Sequence, residues 1–301
     1  MNPELEKMLQ FFSQDEKDLL NAWINTGCYS VKMNHYFSIY SELLREFRGK
    51  KCTLVEVGVL DGGSLHAWRK YLGKNAEIIG IDLNPNAKRF EKEGFRIFIG
   101  DQSDVNFWNY FYSKINSIDV LIDDGGHASH QQITTLICAL NNISKKALII
   151  VEDTHSNFFT HLNQFEGENT FLNYSKQVTD NLTLRQVFNT SRPERFPKLL
   201  NTDSLDQFKN VKSVSFYNGI VAYKIEPYLK EIDSLSMAAG VNKDKDKKNE
   251  LIKDHRNKSN IHGISVNWPD PFKKEEKIVR GKYFNDDSKT QNIQKIKKKT
   301  R

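Results

Sequence analysis

Cysteine is scarce in this chain, and the little there is forms no pattern. Cys28, Cys52 and Cys138 are odd in number and lack metal-type spacing. That argues against a disulfide framework and a cysteine zinc site, and predicts buried free thiols in a reducing cytoplasm. No run of about 18 apolar residues occurs, so no transmembrane helix is expected. The first residues, Met1-Asn-Pro-Glu-Leu-Glu-Lys7, are charged and lack a signal peptide's apolar region. The nicotinamide loop G-x-G-x-x-G is missing as well, because Leu60 stands where its second glycine belongs.

What is present is enough for a real core. Over 301 residues, 38% are hydrophobic and 11% aromatic, which sets the chain apart from a wholly disordered one. Charge is unevenly spread: from Lys230 onward there are 19 basic against 11 acidic residues, and the preceding stretch is close to balance. A basic tail can meet a polyanion or a membrane surface, but it is more often merely solvated.

Residues 4–25 carry apolar side chains at helical spacing around a Ser13-Gln-Asp-Glu16 helix start, and Tyr36, Tyr40, Leu43, Leu44 and Phe47 mark a second helix. From Cys52 the period changes. Short apolar runs follow at Thr53–Val57, Glu77–Asp82, Arg96–Asp101, Val120–Asp124 and Ala147–Asp153, with helical segments such as Gly62–Tyr71 and Gln131–Asn141 between them. Strands alternating with helices predict βαβ units and a largely parallel sheet. Lys212–Lys224 differs, with two β-rich runs meeting at Asn218-Gly219, a strong hairpin signal. Residues 155–210 are poorer in period and are expected to be an insertion forming a lid or substrate wall. Residues 230–301 are expected to be a partly disordered tail.

Three features carry chemistry. Glu56-Val-Gly58 followed by Gly62-Gly63-Ser64 is a glycine loop between strand and helix, where backbone can approach a ligand and free N–H groups are offered. Asp82 ends the next strand and is placed to accept ribose hydroxyls, so loop and acid together predict a nucleoside ligand. An acid before the first glycine is the variant found with S-adenosylmethionine. Gly100-Asp101-Gln102 ends the third strand, where Asp101 can accept from an adenine amine or cap a helix. Last, Val120-Leu-Ile-Asp-Asp-Gly-Gly-His127 and Ala147-Leu-Ile-Ile-Val-Glu-Asp153 each end in two carboxylates. If these strands are neighbours, Asp124, Glu152 and Asp153 concentrate like charge at one rim, a setting for a hard cation such as Mg²⁺. Asp123 points to the opposite strand face from Asp124 and is cofactor-facing or structural. His127 is the candidate base, with His130 and His155 as rivals. Asn267-Trp-Pro-Asp-Pro-Phe272 looks like a base-methylation signature, but it lies far beyond the sheet.

Val55-Glu-Val-Gly58 with Gly63-Ser64, Ile79–Asp82, Ile122-Asp-Asp-Gly-Gly-His127 and Val151-Glu-Asp-Thr-His155 resemble class I S-adenosylmethionine-dependent methyltransferases. The nearest group is the metal-dependent macrolide-sugar O-methyltransferases. His35-Tyr36 and Tyr40 resemble that group's entry segment, which helps close the cofactor site. The resemblance covers roughly residues 33–160, with the hairpin near 212–224. It implies a Rossmann-like α/β fold with a mostly parallel seven-stranded sheet, a late antiparallel hairpin, N-terminal helices and a polar tail. It also implies a helical cover over 1–50 and a catalytic domain over 51–229. The implied cofactors are S-adenosylmethionine, held by His35, Tyr36, Glu56, Gly58, Gly62, Gly63, Ser64, Asp82, Asp101, Gln102 and Asp123, and Mg²⁺ on Asp124, Glu152 and Asp153. His127 would be the base, and the partner a sugar-containing acceptor. A homo-oligomer is admitted. A nucleic-acid enzyme or binding protein using the basic tail, and a nicotinamide oxidoreductase, are the alternatives.

Overall fold

The computed structural model describes residues 7, 9–159, 170–188 and 208–227; the expected tail over 230–301 lies outside them. Helix α1, Gln14–Ile24, starts at the expected capping box: Glu16 donates its backbone N–H to Ser13 Oγ, and Ser13 donates its own to Glu16 Oε2 at 2.6 Å. Helix α2, Tyr36–Leu44, runs into a 3₁₀ turn at Arg45–Phe47.

Seven strands then form one sheet: β1 Cys52–Val57, β2 Ala76–Asp82, β3 Arg96–Ile99, β4 Val120–Asp123, β5 Ala147–Val151, β6 Val211–Phe216 and β7 Val221–Ile225. Their order is β3-β2-β1-β4-β5-β7-β6. The first five are mutually parallel; β7 pairs antiparallel with β5 and with β6. The hairpin turns at Asn218-Gly219 as expected: Gly219 has φ +77°, and Tyr217 donates to the Ile220 carbonyl at 2.8 Å.

Strands β4 and β5 are buried along their whole length because both faces of the sheet are covered, which is why they read as unbroken apolar runs. One face, with Leu54, Val120, Ile122, Leu148 and Ile150, packs against α1, α2 and α3 (Gly63–Leu72). The other, with Val55, Val57, Leu121, Ile149 and Val151, packs against α4 (Val105–Lys114), α5 (Ser129–Asn142) and α6 (Phe171–Phe188). Helix α6 lies in the stretch expected to be a lid or wall, yet its Phe171 and Val178 are fully buried against the sheet.

Three of the strands end earlier than expected. Strand β3 stops at Ile99, β4 at Asp123 and β5 at Val151, so Asp101, Asp124, Glu152 and Asp153 belong to the loops beyond. Cys52 and Cys138 are buried free thiols as expected, but Cys28 is half-buried. Among the described residues no helix is long and apolar enough to cross a membrane.

Candidate active site

A cavity of about 510 Å³ opens at the carboxyl ends of β1, β2 and β4, the edge where open α/β sheets bind ligands. Its wall includes Gly58, Ser64, Asp82, Asp101, Gln102, Asp124, His127 and Asp153, all singled out from the sequence. At Gly58, φ is +94° and a Cβ would lie 2.1 Å from the Asp124 carbonyl oxygen. Only glycine therefore lets the β1 loop lie against the β4 exit. Asp82 organises the same loop: Oδ2 accepts from the N–H groups of Val59 (2.8 Å) and Leu60 (3.2 Å), and Oδ1 from that of Asn84. Asp101 lines the cavity while accepting from the Ser103 N–H and hydroxyl, which hold its carboxyl below the usual range.

Glu56, Asp123, Glu152, Gly62 and Gly63 do not line the cavity. Glu56 is fully buried beneath it; Ser64 Oγ donates to one carboxylate oxygen at 2.5 Å and Trp68 Nε1 to the other at 2.8 Å. Burial, partly offset by Lys32, pushes this carboxyl up to about 7. Gly62 caps α3 in the left-handed region and meets the Phe90 ring, and Gly63 abuts Ser30.

Strands β4 and β5 are neighbours, with Asp123 opposite Val151 and the Glu152 N–H donating to the Asp123 carbonyl at 3.0 Å. The two acid pairs therefore leave the sheet side by side. In each pair the first acid is buried and the second reaches the cavity. Asp123 is 0% exposed and accepts from Gln102 Nε2 at 3.0 and 3.1 Å, and burial pushes its carboxyl up. The same Gln102 accepts from the Gly126 N–H at 2.8 Å, fixing the Gly125-Gly126 turn that carries His127. Glu152 is 1% exposed and accepts from Lys32 Nζ.

Asp124, His127 and Asp153 come together at the cavity wall. Each offers one ligating atom, and these atoms lie within 4.8 Å of one another. His127 Nε2 stands 4.0 Å from Asp124 Oδ1 and 3.7 Å from Asp153 Oδ2, and its Nδ1 is buried without a hydrogen-bond partner. Two carboxylates and an imidazole around so small a space suit a hard divalent cation. Among the described residues, the non-glycine positions with positive φ are Leu60 (50°), His127 (59°) and Asp153 (54°), and all three line this cavity. Such backbone costs about 1–3 kcal/mol each and persists where the surroundings over-determine it.

His35 and Tyr36, expected to close the cofactor site, sit instead against the β6–β7 hairpin. His35 Nε2 contacts the Asn218 carbonyl at 3.0 Å. The Tyr36 hydroxyl donates to Asp153 Oδ1 at 2.7 Å and to the Gly219 carbonyl at 3.1 Å, so it orients Asp153 from behind. The segment that does wall the cavity is Tyr29–Val31, a few residues earlier, with Tyr29 N–H donating to Asp61 at 3.1 Å. Lys32 follows it and was not foreseen. Its side chain is 2% exposed and its ammonium bridges Asp124 Oδ2, at 2.7 Å, and Glu152 Oε1. Burial acts against its charge, but Glu152 and Asp124 outweigh burial and hold it above the usual lysine range. Burial and the neighbouring Asp124 push the Glu152 carboxyl up, since one ammonium does not neutralise two carboxylates.

No protein-family profile matches the chain. It is 25% identical over 193 residues to 8-demethyl-8-alpha-L-rhamnosyl tetracenomycin-C 2'-O-methyltransferase of Streptomyces olivaceus, covering 60% of this chain and 50% of that protein. It is 24% identical over 194 residues to mycinamicin VI 2''-O-methyltransferase of Micromonospora griseorubida, covering 60% of this chain and 48% of the relative. The chain thus spans about half the length of these curated relatives. Among solved structures, MycE methyltransferase in complex with Mg and SAH superposes with a TM-score of 0.60 at 16% identity, covering 84% of this chain and 67% of that one. Strand order, hairpin and superposition agree: this is a Rossmann-like class I methyltransferase fold, and the chain resembles the macrolide-sugar O-methyltransferases.

Proposed function

We propose that the protein is a Mg²⁺-dependent O-methyltransferase that moves the methyl group of S-adenosylmethionine to a sugar hydroxyl of a glycosylated polyketide or similar glycoside. The observation that carries this is the placing of Asp124, His127 and Asp153 within 4.8 Å on the wall of the cavity that also contains Gly58, Ser64 and Asp82. The relatives named above act on sugar hydroxyls, and the superposed MycE structure is titled as a complex with Mg and SAH.

Asp82 would accept from the ribose hydroxyls, and the backbone at Gly58 would lie against the nucleoside. Asp124 and Asp153 would hold the divalent ion, which would bind the acceptor's oxygens and lower the proton affinity of its hydroxyl. Tyr36 fixes Asp153, and the Gln102-pinned turn fixes His127. His127 Nε2 would take the hydroxyl proton as the acceptor oxygen forms its bond to the methyl carbon and the sulfonium C–S bond breaks. That step disperses charge, so positioning supplies most of the acceleration.

Calorimetry with S-adenosylhomocysteine and with NAD, followed by mass spectrometry of rhamnosylated and other glycosylated polyketides incubated with S-adenosylmethionine, tests this. Binding of the first ligand alone and a product heavier by one methyl group are expected. Binding of NAD, or no methylated glycoside, would refute it.

A further inference from the structure

The turn that follows Asp153 has its polar residues inside and its aromatic residue outside. Thr154–Phe158 form one 3₁₀ turn, in which Thr154, Ser156 and Asn157 are buried. The Thr154 N–H donates to the Gly219 carbonyl at 3.0 Å, and the Ser156 hydroxyl to the His127 carbonyl at 2.7 Å. The Asn157 amide donates to Gln132 on α5 at 3.0 Å and accepts from the Leu172 N–H on α6 at 2.8 Å. The hairpin, the β4 exit and two helices therefore hold this short stretch. Phe158, by contrast, is 78% exposed and belongs to neither core. A single exposed phenyl on a loose loop is ordinary. Here the ring is carried on a turn fixed by four elements, so it is held in a set place.

The 3₁₀ period says where that place is. Side chains three apart eclipse, so Phe158 stands over His155. The His155 ring reaches back to the site, with Nδ1 4.0 Å from Asp153 Oδ1, and Phe159 packs edge-on against it at 5.6 Å between centroids. At about 2 Å of rise per residue, Phe158 sits roughly 10 Å along the turn from Asp153. Thr154–Phe159 contain no lysine or arginine. The stretch thus offers no cation to the diphosphate of a sugar nucleotide, but it offers an aromatic face to an apolar ring.

Building on the transfer-site reading, we propose that Phe158, standing over His155, is a specificity-determining platform for the acceptor's apolar aglycone. The sugar that is methylated lies at Asp153 and His127, and the body it is joined to lies on the exposed ring. The protein therefore acts on the sugar after its attachment, and a glycosyl transfer supplies its substrate. The substrate wall expected from residue 155 onward begins at this turn.

The test compares steady-state methylation of two acceptors by the full chain, a rhamnosylated aromatic polyketide and methyl rhamnoside, at saturating S-adenosylmethionine. Phe158→Ala should lower kcat/KM for the polyketide glycoside by about tenfold more than for methyl rhamnoside, chiefly through KM, and Phe158→Tyr should recover most of the loss. The melting temperature of Phe158→Ala and its affinity for S-adenosylhomocysteine should stay at wild-type values, because the ring lies neither in the core nor on the cavity wall. Where methyl rhamnoside is not turned over at all, the raised KM and its recovery in Phe158→Tyr decide alone. Equal loss on both acceptors, or none on either, overturns this proposal and leaves the transfer reading standing. So does a dimer that dissociates in Phe158→Ala with KM unchanged, which would give the ring to a second copy of the chain. Wild-type protein that methylates neither acceptor overturns both.

Discussion

The exits of β4 and β5 repeat one design with different partners. Each presents two adjacent acids, of which the first is buried (Asp123 at 0%, Glu152 at 1%) and the second reaches the cavity. The β4 exit satisfies its inner acid with a neutral amide, Gln102; the β5 exit uses a buried ammonium, Lys32. Four carboxylates in two short stretches therefore meet two kinds of surroundings. At each exit one acid turns into the protein and its neighbour turns to the cavity. The inner two differ in their partners: Asp123 meets a neutral amide, whereas removing the Glu152 carboxylate leaves a buried ammonium with one partner fewer.

The largest effect expected concerns the outer row. His127→Ala should lower methyl transfer by about 10²–10⁴-fold and leave the calorimetric affinity for S-adenosylhomocysteine nearly unchanged. Retained turnover would remove His127 as the base and return His130 and His155 to contention.

The inner row should separate in stability. Glu152→Gln leaves the Lys32 charge half-compensated and should cost about 3 kcal/mol in urea unfolding, whereas Asp123→Asn, which keeps a hydrogen-bonding group of the same size beside the neutral Gln102 amide, should cost about 1 kcal/mol. Equal losses would erase the distinction between the two exits.

Glu56 sharpens the contrast with pH. Burial raises its carboxyl from the ordinary 4.5 to about 7, so the folded protein holds a proton that the unfolded chain releases. Its contribution is fully present below the unfolded value and is lost as pH rises through the folded one. Stability of the wild type relative to Glu56→Gln should therefore fall by roughly 3 kcal/mol between about pH 4.5 and 7 and level off above, as read by urea unfolding across that range. A flat difference would show that Glu56 stays ionised in the fold.

The smallest effect tests backbone strain. Both His127→Gly and His127→Ala abolish the imidazole, but only glycine relaxes a φ of 59°. The glycine variant should melt as the more stable of the two by about 1 kcal/mol. Equal melting would mean the left-handed conformation carries no strain.

Much of this was legible in the sequence because burial on both sheet faces writes strands as apolar runs. Val120–Ile122 and Ala147–Val151 declare themselves that way, and Asn218-Gly219 declares the hairpin through its turn chemistry. The strand ends were overrun because a carboxylate after an apolar run looks the same whether it ends the strand or begins the loop. Asp123 was half-legible, since alternation places it opposite Asp124 but does not name Gln102 as its partner. Lys32 was not legible. It lies 92 and 120 residues from its two partners, in a segment without period, and its only mark is a lone lysine between Val31 and Met33. The contacts of His35 and Tyr36 were not legible for a related reason: their partners, Asn218, Gly219 and Asp153, lie more than a hundred residues away.

The most direct test is methyl transfer to a glycosylated polyketide after exhaustive chelation, with Mg²⁺ then restored to wild-type protein and to Asp153→Asn. A transfer site built on the outer acids predicts activity abolished by chelation, recovered with Mg²⁺ in the wild type, and not recovered in the variant. Transfer that survives chelation, or that Mg²⁺ restores equally in Asp153→Asn, would contradict it.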